Sequence, residues 1–364
     1  MELRLLVVGL DPAVLDPASA SAARQVSYYK GYKADIVVLK LGAPTEVRLD
    51  ESIRTFRPGG AGVVMLWNAF RLLRRLAREG KYDVATAQEP AICGTLIFLT
   101  RAAKRFHLQD HSAMFARPHR GLVSGIWSII AHFIARRADR FRTVSERGRR
   151  GLQAIGIPPE RIDIAAVTAN IQLFRTVSHV SADHPRLLTI ARLYKEKGVD
   201  VLLQAFKEVL GKHSEVTLTI IGDGPERNTL ETLTKDLGIE NSISFLGKTS
   251  SDDVRRSLEK SDIYVQSSRF EGWGVAVIEA AAAGVPVVMT DVGCAGEIIV
   301  DGRSGRVVPT EAPKRLAEAI LQTIEKPDEA KKMAEAARQI VQQLPTNEAL
   351  TATIRASLEK AALS

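Results

Sequence analysis

"DIYVQSSRFEGWGVAVIEAAAAGVPVVMT", residues 262–290, reads as strand, glycine loop, helix and strand in direct succession. DIYVQSS (262–268) and VPVVMT (285–290) are short and rich in apolar, β-branched residues. Between them, VAVIEAAAAG is apolar almost all the way round. Two such strands bracketing a helix make a βαβ unit, and strands apolar on both faces belong to a parallel sheet covered by helices. One carboxylate, Glu279, interrupts the apolar helix, and a second, Glu271, stands just before it beside Gly272, Trp273 and Gly274. An unpaired buried carboxylate is strongly destabilising, so both glutamates call for a partner.

The same alternation extends outward. LLTIA (187–191), VTLTIIG (216–222) and ISFLG (243–247) are strand-like, and each precedes a helix-like stretch. LRLLVVG (3–9), DIVVLK (35–40), DVATA (83–87), RFHLQ (105–109), RFRTVS (140–145) and IDIAAVT (162–168) are the candidate strands of the first half. No fixed-period repeat is visible, which argues against a solenoid. The polar stretch TVSHVSADHP (176–185) reads as a linker. The expected fold is therefore α/β: two doubly wound, Rossmann-like domains facing each other across a cleft. Residues 1–177 form the first, residues 178–345 the second, and a helix at about 346–364 packs back on the first. A chain of 364 residues suits two domains rather than one.

Composition narrows the class. The chain is 45% hydrophobic and 25% charged, as globular proteins are, and no apolar run is long enough to span a membrane. MELRLLVVGL enters a strand-like run directly, and two cysteines make neither a disulfide framework nor a Cys-based zinc site. The expected location is the cytoplasm. Residues 1–177 carry 27 Lys and Arg against 15 Asp and Glu, a net +12, while residues 178–364 carry a net −4. That asymmetry points the first half at something acidic, or makes it an ordinary solvated basic face. With no aromatic-interleaved stacking platform, an anionic membrane surface outranks nucleic acid.

The start of the helix after DIYVQSS offers unpaired N–H groups and a partial positive charge, and glycines there let a phosphate approach the backbone. Glu279, one to two turns in, is suited to accept two ribose hydroxyls, and Glu271 to accept hydroxyls of a sugar beyond the phosphate. Alternatively, both bond backbone N–H groups or a local arginine such as Arg269. In ARLYKEKG (191–198), Arg192 and Lys197 are cations able to neutralise a diphosphate without a metal, unless Arg192 pairs with an acid. IGDGPER (221–227) is a turn launching a helix at Pro225, and turn chemistry alone accounts for it.

RLYKEKG, GDGPE, FLG, EGWGVAVIEAAAAGVPVV and VGCAGEIIVDGRSG, in this order, resemble the retaining nucleotide-sugar glycosyltransferases of family four, which have the GT-B fold. Weaker counterparts in the first half are YDVATAQEP, LQDHSAMF, ADRFRTVSE and PPERIDIAAVTAN. The hallmark is a glutamate pair with seven residues between, here Glu271 and Glu279. The resemblance implies that Arg192 and Lys197 bind the donor diphosphate. It implies that Gly272, Trp273, Gly274 and Val275 form the donor loop, with Gly222 and Gly224 also donor-binding. It puts Glu271 on the donor sugar, Glu279 on the ribose and His111 near the donor sugar. It makes the acceptor a glycan or a lipid-linked molecule, and requires no metal or other cofactor.

Two departures stand out. The family usually has a glycine pair after the first strand, where this chain has GLDPAVLDPASASAARQ. RPGGAG (57–62) lies too far along to replace it, and reads as a turn or a mobile acceptor loop. Thr168-Ala169-Asn170 stands where Pro-Asn-Gly is usual. The expected activity is a retaining, metal-independent hexosyl transfer to an envelope glycan or glycolipid. The alternatives are a non-catalytic nucleotide-sugar-binding subunit and a phosphorylase or epimerase of the same fold.

Overall fold

A computed structural model describes residues 3–116, 122–166, 171–175 and 183–364. The expected linker falls outside them for residues 176–182, as do Thr168, Ala169 and Asn170. The chain divides into two compact units, Met1–Ala166 with Thr346–Ser364, and Val167–Pro345.

The first unit is built on strands β1 (Arg4–Gly9), β2 (Lys33–Val38), β3 (Thr45–Arg48), β4 (Ile53–Arg57), β5 (Tyr82–Ala87), β6 (Ala103–Asp110), β7 (Arg140–Thr143) and β8 (Ile162–Ile164). They form one sheet in the order β3-β4-β2-β1-β5-β6-β7-β8, parallel throughout except that β3 runs antiparallel to β4. Its helices are α1 (Ala20–Tyr29), α2 (Gly62–Gly80), α3 (Ile92–Thr100), α4 (Leu122–Ala135) and α5 (Glu146–Ala154). Leu73, Leu76, Leu96 and Ile134 of α2, α3 and α4 bury one set of strand side chains. Neighbouring helices α2 and α3, and α3 and α4, touch one another.

The second unit holds β9 (Arg186–Ile190), β10 (Thr217–Ile221), β11 (Ile243–Gly247), β12 (Ile263–Gln266), β13 (Val287–Thr290) and β14 (Arg306–Val308), all parallel, in the order β11-β10-β9-β12-β13-β14. Its helices are α6 (Ile171–Arg175), α7 (Val199–Leu210), α8 (Arg227–Leu237), α9 (Ser251–Glu259), α10 (Val275–Ala282), α11 (Pro313–Glu325) and α12 (Pro327–Gln342). α6 belongs to this unit because it packs on α10 and buries Phe174, while Arg338 Nη2 donates to the Arg175 carbonyl at 3.0 Å. The last helix, α13 (Asn347–Leu363), returns to the first unit. There Leu350, Ile354 and Leu358 pack with Tyr28 and Tyr29 of α1 on the other set of strand side chains.

Both sheets are doubly wound, as their alternating patterns predict. Three strands escape a reading by hydrophobicity. β3 and β4 carry arginines and a glutamate, and Arg54 is held by a bidentate pair with Asp35 at 2.8 and 3.0 Å. β14 is only three residues long. In the second unit the order reverses between β9 and β12, so the loops leaving these two strands diverge at a topological switch point, where open α/β sheets bind ligands.

Candidate functional site

The loops after β9 and β12 are knitted together. Gly198 has φ +61°, and a Cβ there would lie 2.2 Å from the Ser267 carbonyl oxygen, so only glycine allows the approach. Arg269 N donates to the Glu196 carbonyl at 2.8 Å, and Ser267 Oγ to the Lys197 carbonyl at 3.2 Å. This stitching places Lys197 Nζ 2.6 Å from Glu271 Oε2. Gln266, at the end of β12, donates to the same carboxylate oxygen at 3.3 Å, and its own buried Oε1 has no partner among the described residues.

At the start of α10 the backbone N–H groups of Gly272, Trp273, Gly274, Val275 and Ala276 donate to no other group among the described residues. Gly274 has φ +94° and supplies no capping side chain. The Trp273 side chain is buried, and its carbonyl accepts from Cys294 N at 2.9 Å. Gly293, whose Cβ would lie 2.6 Å from that carbonyl oxygen, completes the support. The loop is thus held through its carbonyl while its N–H groups stay available for an anion.

Glu279 is half-buried and has no hydrogen bond or ion pair among the described residues. Burial raises its pKa from the ordinary 4.5 to about 7. Arg269 is not its partner. That guanidinium is spent on Asp200, at 2.6 and 2.7 Å, and on Glu311. Arg192 is exposed and meets no carboxylate among the described residues; its guanidinium lies 5.4 Å from the Tyr194 ring centre. Neither acid-pairing alternative is realised among the described residues; Glu271 meets Lys197 instead. Gly222 and Gly224 are glycines for packing reasons, since a Cβ would lie 1.8 Å from the Ala191 carbonyl oxygen and 2.4 Å from that of Leu193. Among the described residues no group of three or more His, Cys, Asp or Glu side chains gathers as a metal would need.

In the first unit, His111 follows β6, half-buried, with Nε2 2.9 Å from Gln109 Oε1. Burial, and then the charges of Arg142 and Arg24, push its pKa down to about 3. Arg142 itself is buried without a carboxylate partner among the described residues. It donates to Gln109 Oε1 at 2.8 Å and to the Ala165 carbonyl at 3.1 Å. The loop after β1 is ordered by its own polar side chains: Asp11 accepts from Ala13 N and Ser21 Oγ, and Ser19 caps α1. Gly59 and Gly60 of RPGGAG lie just before α2, with Gly60 N donating to the Gly42 carbonyl at 2.9 Å. Gln266, Gln109 and Arg142 were not foreseen from sequence; their one signal is a polar residue at or next to the C-terminal end of a strand.

Residues 171–340 match the family described as glycosyl transferases group 1, and residues 23–166 match glycosyltransferase family 4. The chain belongs to glycosyltransferase family 4. It is similar to the GDP-mannose-dependent alpha-(1-6)-phosphatidylinositol monomannoside mannosyltransferase of Mycobacterium tuberculosis, 30% identical over 166 residues. That match covers 44% of this chain and 43% of the relative, so the chain spans less than half the relative's length. Its fold is that of sucrose-phosphate synthase from Thermosynechococcus elongatus, with TM-score 0.80, 19% identity, and 96% and 97% of the two chains covered. HepE of Anabaena, solved with UDP and glucose, gives a TM-score of 0.73 at 18% identity, with 100% of both chains covered. These are GT-B structures, and the family-4 chain shares their two parallel-sheet domains.

Proposed function

We propose that this family-4 chain is a retaining, metal-independent glycosyltransferase that moves a hexose-type sugar from a nucleoside diphosphate donor to an acceptor hydroxyl. The observation that carries the reading is the unspent binding capacity at the β9/β12 switch point. Five consecutive N–H groups without acceptors, an exposed Arg192 without a counter-ion and a half-buried Glu279 without a partner, all as judged among the described residues, lie there together. The N–H groups and Arg192 suit a diphosphate, joined by Lys197 once it leaves Glu271. Glu279 suits the ribose diol and Glu271 the sugar hydroxyls.

Charge develops on the departing diphosphate as the glycosidic bond breaks, and fixed donors aimed at it stabilise that state. Retention follows from front-face attack, with the leaving phosphate taking the acceptor's proton. A UDP-bearing structure of the same fold supports a nucleotide-sugar donor.

The acceptor we propose is lipid-linked, met at an anionic membrane surface on the cytoplasmic side. No helix among the described residues is long and apolar enough to cross a membrane. The first unit does expose Val63, Val64 and Trp67 on α2 and Ile126, Trp127, Ile129 and Phe133 on α4. Arg136 and Arg137 lie just beyond α4, both exposed. A groove of about 980 Å³ beside α2 is lined by Arg57, Arg71, Arg74, Arg75 and Arg78. A relative named for action on a phosphatidylinositol mannoside supports the choice.

A thermal-shift panel of nucleotide sugars tests the donor site. A donor at a hundred times its Kd stabilises by about 2.7 kcal/mol, and Glu279→Gln and Arg192→Ala should each reduce the shift. A panel in which no nucleotide sugar or nucleoside diphosphate stabilises the chain overturns the reading.

A further inference from the structure

Gln266 adjoins the Lys197–Glu271 pair, wholly within the second unit. It closes β12, whose four residues are all buried, and is itself 6% exposed. Its amide has one possible orientation. A carboxylate in an ion pair only accepts, so the amide atom 3.3 Å from Glu271 Oε2 is Nε2. Oε1 is thereby turned away from the carboxylate, buried, with no donor among the described residues. It lies against the turn of the glycine loop, where a Cβ on Gly274 would stand 3.5 Å from it and 3.5 Å from Glu271 Cγ. A buried acceptor without a donor is destabilising, and an apolar side chain of the same size brings no such penalty. The amide therefore has its reason outside stability.

The Glu271 carboxylate is held unevenly. Lys197 Nζ at 2.6 Å and Gln266 Nε2 both donate to Oε2, and Oε1 accepts from no group among the described residues. The stem is packed tightly as well, since a Cβ on Gly293 would lie 3.1 Å from Glu271 Cγ on the side of the Trp273 carbonyl. When Lys197 turns to a diphosphate, the carboxylate loses its ion pair while still only 19% exposed. Gln266 is then the one donor left to it among the described residues, and its place in a buried strand keeps it there.

We infer that Gln266 is a positioning residue: its amide anchors Glu271 Oε2 once Lys197 leaves for the diphosphate, so that Oε1 stays available to the hydroxyls of the sugar. The inference rests on the reading of Lys197 as a diphosphate contact and of Glu271 as a sugar contact. Gln266 itself touches no substrate. Its effect extends to binding, because Lys197 is released more readily from a carboxylate that keeps a second donor.

The test is a double-mutant cycle on the full chain, read by calorimetry with UDP and GDP and by release of the diphosphate from UDP-glucose and GDP-mannose. Gln266→Met keeps the length and burial of the side chain and removes the amide. It should weaken diphosphate affinity roughly three- to tenfold and lower kcat by about as much, the scale of one hydrogen bond to a charged group. Its melting temperature without ligand should equal or exceed that of wild type. In a Glu271→Gln background, where no carboxylate needs the anchor, Gln266→Met should change diphosphate affinity by less than about twofold. Gln266→Glu has the shape of glutamine but offers Lys197 a second acceptor, so diphosphate affinity should fall at least as far as in Gln266→Met. An equal effect of Gln266→Met with Glu271 present or replaced overturns the inference, and so does wild-type affinity and turnover in Gln266→Met or Gln266→Glu. A Gln266→Met chain that melts well below wild type, or does not fold, makes Gln266 a structural residue and overturns it too. A wild-type chain that binds neither UDP nor GDP removes the proposed function and this inference with it, whereas binding without coupling between Gln266 and Glu271 removes the inference alone.

Discussion

Lys197 Nζ lies 2.6 Å from Glu271 Oε2, although 74 residues separate the two in the chain. Both side chains are largely shielded from solvent, at 12% and 19% exposure, so this pair is firmer than a surface ion pair. The lysine charge is already answered within the protein. A diphosphate must draw Lys197 away from the glutamate, which then becomes free to accept sugar hydroxyls. Glu271→Gln removes the competing charge. It should bind a nucleoside diphosphate about three- to tenfold more tightly, on the scale of one lost charged contact, while sugar transfer falls. Calorimetry with the diphosphate beside a transfer assay checks this. Parallel loss of both would make Glu271 a loop-ordering residue instead.

Glu279 should make stability and binding depend on pH in opposite ways. Its folded pKa of about 7 lies above its ordinary 4.5, so between these values the folded chain holds a proton that the unfolded chain has released. Stability from this group is therefore present below 4.5 and lost as pH rises to about 7, a cost on the order of 2–3 kcal/mol. Glu279→Gln should show a higher melting temperature than wild type at alkaline pH and none of this dependence. Accepting a ribose diol needs the ionised form, so wild-type nucleotide affinity should weaken as pH falls below about 7. A variant that binds nucleotide as tightly as wild type at every pH would remove Glu279 from the site.

The strands that decide the fold, β12 and β13 among them, were legible because they are buried on both faces and read as apolar runs. β4 was not, because its burial is shared with an arginine whose partner, Asp35, lies on β2. The same distinction governs the site. Glu271, Glu279, Arg192 and Lys197 stand out because charges beside glycines interrupt apolar patterns. That Lys197 faces Glu271 while Arg269 faces Asp200 depends on how two loops cross, and no local pattern encodes that choice. Gln109 is invisible for another reason. Its amide joins His111 to Arg142, and the way it points is set by Arg142 and Thr86 on neighbouring strands.

Arg192 carries a charge that nothing among the described residues neutralises, so its removal should leave the fold unstrained and act on the reaction. Arg192→Ala should lower kcat by about 10²–10³, the usual cost of one donor aimed at developing charge, with a smaller loss in diphosphate binding. Melting temperature without ligand should stay near that of wild type. A chelator should leave wild-type turnover unchanged. Activity abolished by chelation and restored by magnesium would replace the metal-free reading with a metal-assisted one.

The exposed apolar residues of α2 and α4 supply the last expectation. Val63 is 81% exposed, Trp67 59% and Ile129 71%, and α3, which touches both helices, adds an exposed Leu99. Side chains of this kind leave water readily, and tryptophan suits the membrane interface. On α2 the apolar end is followed by exposed Arg71, Arg74, Arg75 and Arg78, which give an anionic surface its electrostatic hold. Each such charge contributes about 1 kcal/mol near the surface and loses most of it within a Debye length. The chain should therefore sediment with anionic vesicles at low salt, stay in the supernatant with neutral ones, and be released as salt rises. Two sets of substitutions separate the forces. Arg71, Arg74, Arg75 and Arg78 changed to Gln should remove the salt-dependent part. Trp67→Ser with Ile129→Ser should weaken what persists at high salt. All of these side chains are exposed, so neither set should lower the melting temperature. Equal sedimentation with neutral and anionic vesicles would discard the electrostatic account. No sedimentation with anionic vesicles at low salt would point to an acceptor free in solution.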